Sequence, residues 1–450
     1  MASPSSLSTT ARGSFLVVTL GCAKNEVDSD RMRALLVGAG FDEAYEVDEA
    51  DVILINTCSF LASATSESIE ATLQLADAVA QGVRTRPIVM CGCVPSRYGE
   101  ELSNELPEVS AFVRADEEDG IVSVVEEVLG LASQPIELGD GRVLRTVEGT
   151  SAYVKISDGC DRFCSFCAIP YIRGRYFSRP ASQICAEVHE LMEGGVREVV
   201  LIGQDTGIWG CDLGKDDTLA SLLHQVAAEV RPYDGWVRVL YLQPEGMDDE
   251  LIAAIRDLDE VLPYIDIPIQ HCSERVLTRM GRSGSADELR RLFARLRAEI
   301  PGMVLRTTGM AGFPGETDEE ADELAKFLVE QELDYTSVFA YSPEEGTAAA
   351  ELDGQVDEDT KLERTQRLMD IAETMGFAAT ARHVGERVKV IIDGVEEGAD
   401  GPELIGHAWF QAPDSDGAIH IEEGEAAVGD IVTCDLVDSF CYELIGVMVD

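Results

Sequence analysis

The run Cys160-Asp161-Arg162-Phe163-Cys164-Ser165-Phe166-Cys167 puts three thiols within eight residues, in a C-x3-C-x2-C spacing. A 4Fe-4S cube is ordinarily tied down by four cysteines, so three leave one iron open to bind a small molecule as well as pass electrons. The fold must then present this segment as a loop closed around the group its sulfurs hold. Positions i, i+4 and i+7 would also share one face of a helix, where cysteine packs as a small hydrophobe. Asp158-Gly159 before the run and Pro170 after it favour the loop, and Asp161 and Arg162 do not suit a buried stripe. The ligand reading is preferred.

Upstream, residues 15–20, 51–56 and 87–90 are short, apolar, branched runs, and 63–81 is amphipathic with a helical period. They predict a doubly wound parallel α/β domain over residues 14–130. Cys22, Cys58 and Cys93 each follow one of the strands. In an open parallel sheet the carboxyl ends line one crevice, so three thiolates distant in sequence would meet there as a second metal site. Cys91 rivals Cys93, because residues two apart on a strand point to the same side. Spacing leaves both open.

A linker is predicted at 131–145, followed by a second α/β unit over 146–380. Its candidate strands are 153–156, 198–202, 237–241, 264–267, 304–308 and 335–339, with helical stretches such as 181–193 and 287–300. Six βα repeats predict a partial barrel, whose active site belongs at the carboxyl ends of its strands, and the three-cysteine run directly follows the first of them. After a helix at 359–375, residues 381–450 predict a small β-barrel with strands at 387–393, 403–409 and 431–436.

The opening residues carry no basic segment followed by an apolar run, and no stretch is long enough to span a membrane. The twelve cysteines are therefore expected in a reducing cytoplasm, as ligands, reactive thiols or core residues. Cys185, Cys211, Cys272, Cys434 and Cys441 lack ligand spacing and read as core or incidental. The formal net charge of -49 would repel a phosphate backbone and attract a basic protein; a solubilising or salt-adapted surface would produce it equally well. No Lys or Arg follows Lys389, while Asp393, Glu396, Glu397, Glu422, Glu423 and Glu425 crowd the last segment. The terminal barrel is not expected to bind nucleic acid, whose phosphates need cations.

Together these residues resemble a known family. The Cys160, Cys164, Cys167 run with aromatic Phe166 is similar to the signature of radical S-adenosylmethionine enzymes. Three further cysteines in an amino-terminal domain and a small carboxyl-terminal barrel of TRAM type resemble the methylthiotransferases. Gly21-Cys22-Ala23-Lys24-Asn25-Glu26-Val27-Asp28-Ser29, Ile202-Gly203-Gln204-Asp205-Thr206 and Pro268-Ile269-Gln270-His271 most resemble the RimO type, which modifies an aspartate of ribosomal protein S-twelve. The resemblance implies two 4Fe-4S clusters, one on Cys160, Cys164 and Cys167 and one on Cys22, Cys58 and Cys93, the last chosen for its match to a Gly-Cys-aliphatic pattern. It implies S-adenosylmethionine chelated at the first cluster and cleaved by one electron, with Phe166 near the adenine and Gln204, Asp205, Gly309 and Gly312 as contacts. The radical so made takes hydrogen from an unactivated carbon, which no side-chain base could do, and the second cluster supplies sulfur. Electron and sulfur donors are further implied partners.

Several residues have a plainer reading. Glycines at 309–315 also form ordinary turns, Gln204 and Asp205 could cap a strand end, and His271 could be a hydrogen-bonded structural histidine. Arg173, Arg175 and Arg179 could grip nucleic acid or a substrate carboxylate, and pairing with acidic neighbours is the preferred reading. Two other functions stay open at this point: a transfer-RNA methylthiotransferase, and an RNA-binding or electron-transfer iron-sulfur protein without turnover. The open iron corners count against the last.

Overall fold

The computed structural model describes residues 12–82, 84–133, 145, 147, 149–398 and 401–449. Most of the expected linker, 134–144, lies outside the described residues. The chain divides into two compact units: residues 1–146 with Tyr171–Arg173, and Val147–Pro170 with Gly174–Asp450.

The first unit is built on strands β1 (Ser14–Thr19), β2 (Asp42–Glu43), β3 (Val52–Thr57), β4 (Ile88–Gly92) and β5 (Ala111–Arg114). They form a wholly parallel sheet in the order β2-β1-β3-β4-β5. Alternation decides which residues face which layer. Val52, Leu54 and Val89 pack with Phe15, Met32 and Ile121 on one face, and Ile53, Ile55 and Met90 pack with Val79 and Leu102 on the other. Both faces are covered, which is why the strands read as continuous apolar runs.

In the second unit β6 (Ser151–Lys155), β9 (Glu198–Ile202), β10 (Trp236–Val239), β11 (Val261–Asp266), β12 (Val304–Ala311) and β13 (Tyr335–Ala340) form a six-stranded parallel sheet in sequential order. Helices Ala181–Glu193, Leu219–Val230, Asp249–Asp257, Ala286–Glu299 and Asp318–Gln331 alternate with the strands. Their apolar faces join the strands in one core that includes Val199, Leu201, Val239, Leu222 and Phe327. A two-residue ladder, β7 (Ser157–Asp158) with β8 (Phe177–Ser178), closes the base of the cysteine loop.

The chain ends in a closed barrel, in the order β14-β15-β16-β18-β17, of β14 (Arg387–Gly398), β15 (Gly401–Ala408), β16 (Ile419–Glu423), β17 (Ile431–Phe440) and β18 (Glu443–Met448). Three of these strands were expected; β16 and β18 were not, being short and mixed in polarity. The barrel is keyed to the sheet through buried charges near the amino-terminal ends of the strands. Arg238 donates to Glu198 at 2.7 Å, and His407 bridges Glu198 at 3.0 Å and Asp393 at 2.6 Å. Asp416 accepts from Tyr264 at 2.5 Å and sits 3.4 Å from Arg306. Among the described residues no helix is long and apolar enough to cross a membrane.

Candidate metal centres

In the first unit β1, β3 and β4 lie side by side, so the segments leaving their carboxyl ends emerge together. The strand order reverses direction between β1 and β3, the place where open parallel sheets leave a crevice. Cys22 precedes the helix Ala23–Gly38, Cys58 follows β3 directly, and Cys93 opens the helix Cys93–Tyr98. Two glycines make the turns possible. At Gly92, φ is 89° and a Cβ would collide with Asn56 Oδ1; at Gly21, φ is 106° and a Cβ would run into Cys58.

Asn25 ties these ends together. Its Nδ2 donates to Leu20 O at 3.0 Å and Thr57 O at 2.8 Å, while its Oδ1 lies 3.7 Å from Cys22 Sγ and 3.9 Å from Cys93 Sγ. Burial pushes the Cys93 thiol up to about 12 and raises Cys58 as well. Such thiols stay protonated in the apo protein, and a metal must displace the proton to bind. Cys91 behaves differently. It lies within β4, fully buried among Phe15, Val17, Leu54 and Val113. The expectation that residues 91 and 93 share a side fails because the strand ends at Gly92 and Cys93 belongs to the helix that follows.

In the second unit the cysteine run forms a loop, as its flanks imply. Gly159 has a φ of 69°, and a Cβ there would strike the Arg175 carbonyl. Cys160 N donates to Gly174 O at 3.2 Å, Cys167 N to Cys164 O at 3.0 Å, and Ser165 N to Met280 O at 2.8 Å. Burial pushes the Cys167 thiol up to about 12 and raises Cys160. Arg162 Nε donates to Asp205 Oδ2 at 2.5 Å and its Nη1 to Glu245 at 3.3 Å, tying the loop to the end of β9. Gln204 Nε2 donates to Asp158 at 3.1 Å. Gln204 Oε1 and Asp205 Oδ1 are buried acceptors without a hydrogen-bond partner among the described residues.

The other expected contacts separate. Phe166 packs beside Phe313, Tyr341 and Met280. Gly309 opens on free space, whereas the space beside Gly312 is filled by Lys361. Gly312 N and Phe313 N donate to Glu316, so Gly312 serves a turn. His271 is fully buried, accepts from Ser273 N at 2.9 Å, and has its Nε2 3.9 Å from Glu316 Oε1. Each of the three arginines meets a carboxylate: Arg173 Asp28, Arg175 Asp161, and Arg179 Glu187.

Each trio offers sulfur as its donor, and soft thiolate sets suit iron-sulfur clusters. Among the described residues no three His, Cys, Asp or Glu side chains converge as a site for a single ion. The structure adds Asn25, Asp28 and Arg173 to the first trio, residues the spacing of cysteines does not reveal. The signal available was that Asn25 and Asp28, three apart on a helix, share a face.

Comparison with known proteins gives three family matches. Residues 14–114 match Uncharacterized protein family UPF0004, 154–328 the Radical SAM superfamily, and 384–449 the TRAM domain. Ribosomal protein uS12 methylthiotransferase RimO of Trichlorobacter lovleyi is 39% identical over 99% of this chain and 100% of its own length. Its counterparts in Geotalea uraniireducens (98% of this chain, 100% of the relative) and Geobacter sulfurreducens (97% and 98%) are each 41% identical. Among solved structures, the radical S-adenosylmethionine methyltransferase TsrM from Kitasatospora setae, with cobalamin and a [4Fe-4S] cluster bound, has a TM-score of 0.55 at 14% identity, covering 86% of this chain and 78% of that one. That likeness is one of fold.

Proposed function

The chain belongs to the family of ribosomal protein uS12 methylthiotransferases, RimO, and from that premise we propose that it methylthiolates ribosomal protein uS12 in the cytoplasm, at the β-carbon of an aspartate. Cys160, Cys164 and Cys167 would hold one 4Fe-4S cluster and Cys22, Cys58 and Cys93 the other, with Phe166, Gln204, Asp205 and Gly309 facing S-adenosylmethionine. Gly312 is set aside, since Lys361 occupies the space beside it. When bound, the first cluster supplies the electron that cleaves the sulfonium, and the second supplies sulfur. The chain's own residues orient the reactants and exclude water. Arg162 pins the cysteine loop to Asp205, Asp158 orients Gln204, and the open acceptors on Gln204 and Asp205 suit the amine and hydroxyls of the cosubstrate.

The observation that carries this reading is that each unit has three cysteines beyond the carboxyl ends of its parallel strands, one after each of β1, β3 and β4 in the first and all in one loop in the second, so that activation and sulfur delivery have separate seats. The terminal barrel supports a basic protein over RNA as substrate. It carries no Lys or Arg after Lys389, and Glu396, Glu397, Glu422 and Glu425 are exposed. Electron and sulfur come from partner molecules outside the chain.

The test is anaerobic reconstitution with iron, sulfide, reductant and S-adenosylmethionine, offering purified uS12 and transfer RNA separately. A net gain of CH2S on uS12 alone is expected. The variant Cys22→Ala/Cys58→Ala/Cys93→Ala should lose about half of its ~8 irons and all methylthio product while still forming 5′-deoxyadenosine. Product on transfer RNA and none on uS12 would reverse the substrate assignment.

A further inference from the structure

Arg173 is a buried cation beside the cysteines of the first unit. Its side chain is 2% exposed and pairs at 2.9 Å with Asp28, itself 2% exposed. The same Nη2 donates to Asn25 Oδ1 at 3.0 Å and lies 3.9 Å from Cys93 Sγ. Asn25 Oδ1 is also 3.7 Å from Cys22 Sγ. One guanidinium therefore touches one thiol directly and reaches a second through a single amide. An arginine present only to neutralise Asp28 would have no reason to stand over sulfur. Burying a cation is costly unless negative charge surrounds it; Asp28 supplies one charge, and thiolates supply more once a metal group is in place.

We infer that Arg173 is a positioning residue for the sulfur-delivering centre: it fixes Asn25 and Cys93 and, through its charge beside the thiolates, makes that centre easier to reduce. The inference rests on the reading that Cys22, Cys58 and Cys93 hold an iron-sulfur cluster. Reduction adds an electron, and a neighbouring cation stabilises the form that carries it. Cluster potentials respond to net charge and to hydrogen bonds at sulfur, and a guanidinium keeps its proton across the working pH range.

The experiment uses the background Cys160→Ala/Cys164→Ala/Cys167→Ala, in which Cys22, Cys58 and Cys93 are the remaining trio. Iron content and midpoint potential, followed by electron paramagnetic resonance during a redox titration, are compared for this parent, Arg173→Lys and Arg173→Met. The parent should hold about four irons. The lysine variant should keep the parent's potential, and the methionine variant should shift to a more negative one with an altered reduced-state spectrum. Because methionine also removes the ion pair with Asp28, the comparison is repeated between Asp28→Asn and Asp28→Asn/Arg173→Met, where the same negative shift is expected. Absence of iron from the parent background would defeat the cluster reading itself. Iron retained throughout, with equal potentials in both comparisons, would overturn the role of Arg173 and leave the cluster reading standing.

Discussion

His407 lies between two carboxylates, each within hydrogen-bond distance of one ring nitrogen. Burial alone would lower its pKa, but the bonds to Asp393 and Glu198 and their charges raise it to about 9. The folded value exceeds the unfolded one of about 6.5, so the stabilisation is complete below pH ~6.5 and drains away as pH climbs through ~9. A shift of this size corresponds to about 3 kcal/mol. Thermal melts of the wild-type chain should therefore show the second unit weakening between pH 7 and pH 9.5, and His407→Gln should melt lower at pH 6 without the alkaline decline. Equal pH slopes for the two proteins would refute the assignment. At this scale the sequence pointed to residues close together in the chain, such as Cys160, Cys164 and Cys167, which share one loop. It concealed those whose partners are far away: Arg173 and Asn25 are 148 residues apart, His407 and Glu198 209.

The cysteine loop shows what an element can hide. Its thiols were legible from spacing, yet the ladder of β7 with β8 that closes its base has two residues a side and no periodicity to read. The same limit applied to β16 and β18, whereas all six strands of the central sheet announced themselves as branched apolar runs. Gly159 sits at the mouth of the loop with positive φ and no room for a Cβ. Gly159→Ala should thus push the loop away from Gly174 and Arg175. Iron loaded at Cys160, Cys164 and Cys167 should fall by more than half, with the Cys22, Cys58, Cys93 centre unaffected. Iron analysis of this substitution in each triple-alanine background checks it, and undiminished loading at the first site would show that the loop tolerates the strain.

Across the whole molecule the excess of acid is the dominant field, and after Lys389 no Lys or Arg offsets it. Long-range attraction of a basic substrate should weaken with salt as the Debye length falls from ~10 Å at 0.1 M to ~3 Å at 1 M. Reversing Glu396, Glu397, Glu422 and Glu425 to Lys should slow association of uS12 severalfold at low salt and leave 5′-deoxyadenosine formation in its absence unchanged. Stopped-flow association rates across a salt series measure this; a rate insensitive to both salt and substitution would remove the barrel from substrate capture. The charge imbalance was plain in the sequence, but the burial of Asp416 and His407 beneath the sheet was not, because it depends on a contact made only after both parts exist. That contact carries a timetable. Glu198 is synthesised 209 residues ahead of His407, an interval on the order of ten to forty seconds on a ribosome adding ~5–20 residues each second. Throughout it the floor of the sheet has no lid, and water must solvate the charges that the finished protein keeps dry. The barrel, made later, is thus what seals the sheet before it, and a nascent chain released short of His407 would be a substrate for chaperones with its cysteine loop already in place.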